Sequence, residues 1–150
     1  MPNGRINSFA DTNLLVYALD PAATEKRALA KAILDQITSR HTLVLSPQSL
    51  NECYRVITEK RRIVERNEAQ LYVAALQTYC TAPYDFDVTR LAWRIQEAHG
   101  FGWWDCMLLA SASIARCELF ISEDMQHARH VGDMTIVSPF DLPSTFGLSR

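Results

Sequence analysis

The sequence predicts an α/β fold in which a parallel β-sheet carries helices on both faces. Two observations lead there. Short apolar runs of β type alternate with longer segments of helical period. Helix-length segments also separate the strands, which implies crossover connections and therefore parallel neighbours. A third observation sets the scale: 150 residues, 48% of them apolar and 21% charged, are enough for a substantial core in one domain spanning residues 1–150.

The first strand runs from Ile6 to Ala10 and ends at Asp11. A helix follows from about Thr24, with Leu29, Ala32, Ile33 and Ile37 on one face. Thr42 to Ser46 forms the second strand. Ser46-Pro47 is then a strong helix start, an oxygen-bearing cap followed by proline at the first helical position, and that helix turns Leu50, Cys53, Tyr54 and Ile57 inward. Another helix begins near Asn67 and buries Ala69, Tyr72, Val73, Leu76 and Tyr79. Beyond Pro83, Asp87 is expected to cap a helix whose stripe is Val88, Leu91, Ala92 and Ile95, and Gly100 and Gly102 end it. Trp104 to Arg116 is apolar or small nearly all round, the mark of a helix buried at the centre of a fold. Leu119 to Ser122 and Thr135 to Ser138 are the last strands.

No apolar run approaches the roughly 20 residues that span a bilayer, and the N-terminus lacks a basic segment leading into a long apolar stretch. No membrane association and a cytoplasmic location are therefore expected. Cys53, Cys80, Cys106 and Cys117 are widely spaced and form no C-x-x-C pair. That spacing argues against zinc ribbons and disulfide scaffolds and for small core residues in a reducing compartment. The net charge of −2 is not the footprint of a nucleic-acid binder. If several carboxylates are gathered to hold metal ions, however, the remaining surface is slightly positive. A local basic stretch, Arg55, Lys60, Arg61, Arg62 and Arg66, is either a solvated helix face or an RNA-contacting one.

In parallel sheets ligands collect outside the carboxyl ends of the strands. Asp11 follows the first strand directly, and Asp124 follows Leu119 to Ser122 by two residues. Glu52 sits in the first two turns of the helix leaving the second strand, and Asp105 opens the buried helix. Four carboxylates from four elements thus converge on one rim. Left alone they would repel one another. A divalent ion removes that penalty, and hard oxygen ligands suit magnesium or manganese better than zinc. Singly, each acid has a plainer role: Asp11 or Asp124 as a cap, Glu52 with Ser49 as a capping box, Asp105 in a salt bridge. Glu123 is either a supporting neighbour of Asp124 or a solvated charge.

The segments Asp11-Thr12-Asn13-Leu14-Leu15-Val16-Tyr17, Ser49-Leu50-Asn51-Glu52, Trp104-Asp105-Cys106-Met107-Leu108-Leu109-Ala110-Ser111-Ala112 and Phe120-Ile121-Ser122-Glu123-Asp124 resemble the four acidic motifs of the PIN domain, in order and spacing, over nearly the whole chain. Within that family the sequence resembles the VapC-type toxins of toxin–antitoxin pairs. The resemblance implies a compact three-layer α/β/α sandwich and metal-dependent endoribonuclease activity on single-stranded RNA. It implies Asp11, Glu52, Asp105 and Asp124 as catalytic, metal-centred acids, with Thr12, Asn13 and Ser122 orienting them. It further implies Mg2+ or Mn2+ as cofactor, a cognate antitoxin as partner, and a homodimer. The sequence departs from the pattern in the bulk of Trp103-Trp104, expected to alter substrate shape preference, and in a tail past Phe140, expected to serve in dimer contacts.

The chemistry so implied is hydrolysis of a phosphodiester by water, and no histidine need act as base. His41, His99, His127 and His130 are scattered, and His127 with His130 reads as a surface pair. Two rival readings remain. Phosphoryl transfer through an aspartyl nucleophile at Asp11 usually requires a second Asp two residues on, where this chain has Asn13. A non-catalytic PIN-like RNA- or protein-binding module would not need the acids, and all four are present.

Overall fold

The computed structural model describes residues 4–142 and 147–148. Five strands, β1 (Asn7–Ala10), β2 (Thr42–Val44), β3 (Leu119–Ile121), β4 (His130–Val131) and β5 (Met134–Val137), form one sheet in the order β2-β1-β3-β5-β4. Every neighbouring pair is parallel except β4 with β5, a short antiparallel hairpin at the edge. Among the described residues six α-helices accompany the sheet: α1 (Thr12–Tyr17), α2 (Thr24–Arg40), α3 (Pro47–Arg55), α4 (Arg66–Leu76), α5 (Phe86–His99) and α6 (Trp103–Ile114).

Strand alternation divides the apolar residues between the two faces. Phe9, Val44, Phe120 and Ile136 point to one side and pack with Val88, Ala92 and Ile95 of α5 and with Cys106 to Ala110 of α6. The parallel register sets Phe9 beside Phe120, and their rings stack with centroids 4.9 Å apart. Leu43, Leu45, Leu119, Ile121 and Val137 face the other way, onto Leu15 of α1, Ile33 and Ile37 of α2 and Cys53 of α3. The result is the expected three-layer sandwich. Among the described residues no helix is long and apolar enough to cross a membrane.

Several expectations shift. Helix α1 was not expected, because six residues are too few to show a helical period. Asp85, not Asp87, caps α5: its carboxylate accepts from the amides of Asp87 and Val88, leaving Asp87 in the first turn beside Arg90. Both aspartates have the right chemistry, and only the backbone path chooses between them. In α2 the buried alanine is Ala30, while Ala32 is exposed, since a methyl group carries little information about which face it occupies. In α4 only Ala69 is fully buried, Tyr72, Val73 and Leu76 are half-buried, and Tyr79, also half-buried, falls in the 3-10 turn Gln77–Tyr79 that follows. Of the tail, Leu148 is buried in the core beneath α2, and the Arg40 guanidinium donates to the Gly147 carbonyl. Residues 143–146 and 149–150 lie outside the described residues.

Candidate active site

Asp11 is placed by the sheet register. Ala10 pairs with Ile121, so the next residues, Asp11 and Ser122, emerge side by side at the carboxyl edge. Asp11 also caps α1, accepting from the Thr12 amide at 2.7 Å, and the Ser122 hydroxyl donates to its other oxygen at 2.8 Å. It is only 8% exposed. Burial pushes its carboxyl up to about 6 against the opposing effect of those two hydrogen bonds, and the charges of Asp105 and Asp124 push the same way.

Glu52 stands one helical turn beyond the start of α3, whose cap is Ser46 accepting from the Ser49 amide. Capping therefore leaves Glu52 free for other work. Thr12 donates to one of its oxygens at 3.1 Å and Gln48, four residues earlier on α3, to the other at 3.0 Å. Gln48 also donates to the Trp104 carbonyl at 3.1 Å and accepts from the Tyr84 hydroxyl at 2.6 Å. This network ties α3 to the head of α6. Gln48 and Tyr84 were not singled out from the sequence. The one signal that points to Gln48 is its position on the same face of the helix as Glu52.

Asp105 lies in the first turn of α6, and partial burial, then Glu52 and Asp124, raise its carboxyl above the ordinary range. Asp124 accepts a short hydrogen bond from the Asn13 side-chain amide, and its own amide donates to the Ser122 hydroxyl at 3.3 Å. Glu123 turns away to pair with Lys26 at 2.8 Å. Its partial burial opposes ionisation, but Lys26 and the Tyr17 hydroxyl outweigh that and hold its carboxyl below the usual value.

Asp11, Glu52, Asp105 and Asp124 line one cleft of about 400 Å³, together with Thr12, Asn13, Arg55, Lys60 and Trp104. The four acids come from the junction of β1 with α1, from α3, from α6 and from the turn after β3. None of them forms an ion pair with a cation among the described residues: the pairs present are Lys26–Glu123, Arg55–Glu59, Arg61–Asp20 and Arg90–Asp87. The donors in the cleft are carboxylate, hydroxyl and amide oxygens, with neither histidine nor cysteine in its wall. That chemistry fits magnesium or manganese. Among the described residues no three His, Cys, Asp or Glu side chains stand close enough to share one ion as they are. The carboxylates line the walls of the cleft and do not already meet at a point.

The basic stretch divides. Past α3 the chain makes a π-helical turn over Val56–Lys60, closed by the Arg61 amide donating to the Val56 carbonyl. An i→i+5 turn brings residues five apart to the same side, which puts both Arg55 and Lys60 on the cleft. Arg61 instead binds buried Asp20 at 2.6 Å and lies over the Tyr17 ring. Arg62 has a left-handed backbone, with φ 49°, and lines a separate hollow with Thr58 and residues 63–68.

The family model of the PIN domain matches residues 8–132. No curated protein matches the sequence. Among solved structures, a chain of a toxin–antitoxin complex from Klebsiella pneumoniae superposes with a TM-score of 0.63 at 18% identity, over 90% of this chain and 99% of that one. A chain of VapBC2 from Rickettsia felis, bound to a DNA fragment from its promoter, gives 0.63 at 12% identity, over 89% and 98%.

Proposed function

Because the chain belongs to the PIN-domain family, we propose that it is a metal-dependent endoribonuclease that hydrolyses single-stranded or structured RNA, and the toxin of a type II toxin–antitoxin pair in the cytoplasm. The observation that carries the reading is the cleft itself. Four carboxylates from four elements face it without a cation partner among the described residues, although Asp11 and Asp105 are strained toward protonation by burial and by one another's neighbours. Structural acids would be expected to recruit a lysine or arginine, as Asp20 and Glu123 do.

In this reading Asp11, Glu52, Asp105 and Asp124 hold Mg2+ or Mn2+. When bound, such an ion supplies acidified water and positive charge at the scissile phosphate. The chain's own groups do the rest. Ser122, Thr12 and Asn13 each donate one hydrogen bond that fixes Asp11, Glu52 and Asp124 in turn. Gln48 holds the second Glu52 oxygen, so that carboxylate keeps its direction when charge in the cleft changes. A carboxylate not engaged by the ion accepts the proton of the attacking water. Glu123 does not compete, being committed to Lys26. Arg55 and Lys60, at the cleft wall, contact the RNA backbone.

The partners follow from the same reading: an antitoxin protein that covers the acidic cleft, and a second copy of the chain in a homodimer. The two toxin–antitoxin structures with the same fold support the antitoxin.

The test is incubation of a mixed RNA pool with the purified protein. Cleavage should occur with magnesium or manganese and stop with chelator. Intact RNA under every condition would leave a non-catalytic PIN-like RNA- or protein-binding module. In the same samples, Arg55→Ala with Lys60→Ala should weaken RNA affinity and lower its salt dependence by about 0.7 of a slope unit for each phosphate no longer neutralised. An unaltered slope would remove both from the RNA path. Arg61→Ala is expected to act through stability, since it strands the buried Asp20 carboxylate.

A further inference from the structure

Tryptophan is among the costliest residues to leave in water, and α6 opens with two that have different fates. Trp103 packs against the core formed with α5. Trp104, one residue on and about 100° around the helix, is 62% exposed. It stacks on no ring and lies under no cation among the described residues, where the aromatic and cation–π contacts involve other side chains. Its backbone is nevertheless fixed, because its carbonyl accepts from Gln48, the residue that also holds Glu52. Trp104 is one of the residues that line the acidic cleft, next to Asp105 in the chain. A solvent-exposed tryptophan on a fixed backbone thus stands at a site whose charged groups are four carboxylates, Arg55 and Lys60.

We propose that Trp104 is a specificity-determining residue that stacks on an unpaired nucleobase within a nucleotide or two of the scissile phosphate. The inference rests on the nuclease reading above and adds to it what the acids do not supply. Carboxylates, Arg55 and Lys60 recognise phosphates and therefore any strand. A flat apolar face recognises a base only where that base is out of a duplex. Stacking tolerates any base, so Trp104 selects for unpaired structure and not for sequence.

The experiment compares the wild type, Trp104→Ala and Trp104→Phe on three oligoribonucleotides: a single strand, the same strand in a duplex, and a strand with abasic positions around the cut. Binding is measured with calcium replacing magnesium, and cleavage with magnesium. Truncation should raise KM on the single strand about tenfold with a smaller change in kcat, and Trp104→Phe should recover part of the loss. On the abasic strand Trp104→Ala and wild type should be equal, because no base remains to stack. Equal melting temperatures are expected, given the exposure of the side chain. Wild-type affinity in Trp104→Ala, or an equal loss on the abasic strand, overturns the proposal. So does a variant that binds RNA normally but loses its dimer, which would make Trp104 a protein contact. Wild type that binds in a Trp104-dependent way without cutting would support the stacking role and sink only the nuclease reading.

Discussion

Asp105→Asn is expected to lower RNA cleavage by about two to three orders of magnitude, with an unchanged far-UV spectrum. Asp105 is exposed on the first turn of α6 and is not in an ion pair among the described residues, so an isosteric amide removes charge and little else. The expected size is that of losing one preorganised charge from a site that, as proposed, holds a cation against a phosphate. Asp11→Asn should lose as much. Its amide keeps one acceptor oxygen for either the Thr12 amide or the Ser122 hydroxyl, and not both. Glu59→Gln, on the same stretch as Lys60 and among the described residues paired with Arg55 at the surface, should cleave normally. Full activity in Asp105→Asn would remove it from the site.

The second large effect is on stability and has a defined sign. Burial lifts the Asp11 carboxyl from 3.8 to about 6 in the folded chain. The folded state therefore holds this proton more tightly than the unfolded state does. Its contribution to stability is complete below about pH 3.8 and is lost as pH rises through about 6. That shift corresponds to about 3 kcal/mol. The metal-free protein should accordingly weaken between pH 4 and 6, and Asp105 pushes in the same direction. Asp11→Asn has no such proton to lose. Above pH 6, in chelator, it should be more stable than wild type by about 1–2 kcal/mol after allowing for one lost hydrogen bond. In a chain of this length that is roughly 3 to 6 °C in melting temperature. Parallel pH profiles for the two proteins would contradict the account.

How much of this was legible in the sequence depends on the signal each element carries. The sheet and its two helical layers follow from strands separated by helix-length segments, and the five long helices follow from apolar period and punctuation. Ser46-Pro47 marked the start of α3 because an oxygen cap and a proline have only one good use together. Helix α1 and the two-residue strand β4 were hidden, being too short to carry a period, whereas β5 was legible as Thr135 to Ser138. Asp85 and Asp87 were interchangeable in chemistry, and the cap fell to the other one. For the site, the four acids named from the sequence line one cleft, because strand ends and helix starts fix the carboxyl edge of a parallel sheet. The supporting groups were partly hidden. Thr12, Asn13 and Ser122 neighbour the acids in sequence, whereas Gln48 and Tyr84 reach them only through tertiary contacts. The basic stretch read as one surface, yet a π-helical turn and the pull of Asp20 send its members three ways.

The central claim is that these four carboxylates form one divalent-metal site, and a thermal melting series at pH 7.5 addresses it most directly. Wild type, Asp11→Asn and Asp105→Asn are melted in chelator and in millimolar manganese. A ligand that binds only the native state raises its stability by mass action, by about 2.7 kcal/mol at a hundred times its Kd. Manganese should raise the wild-type melting temperature by several degrees and do little for either variant, while in chelator Asp11→Asn should melt above wild type. A chelated wild type more stable than both variants, with no response to manganese, would mean that the acids are structural and that the cleft holds no metal.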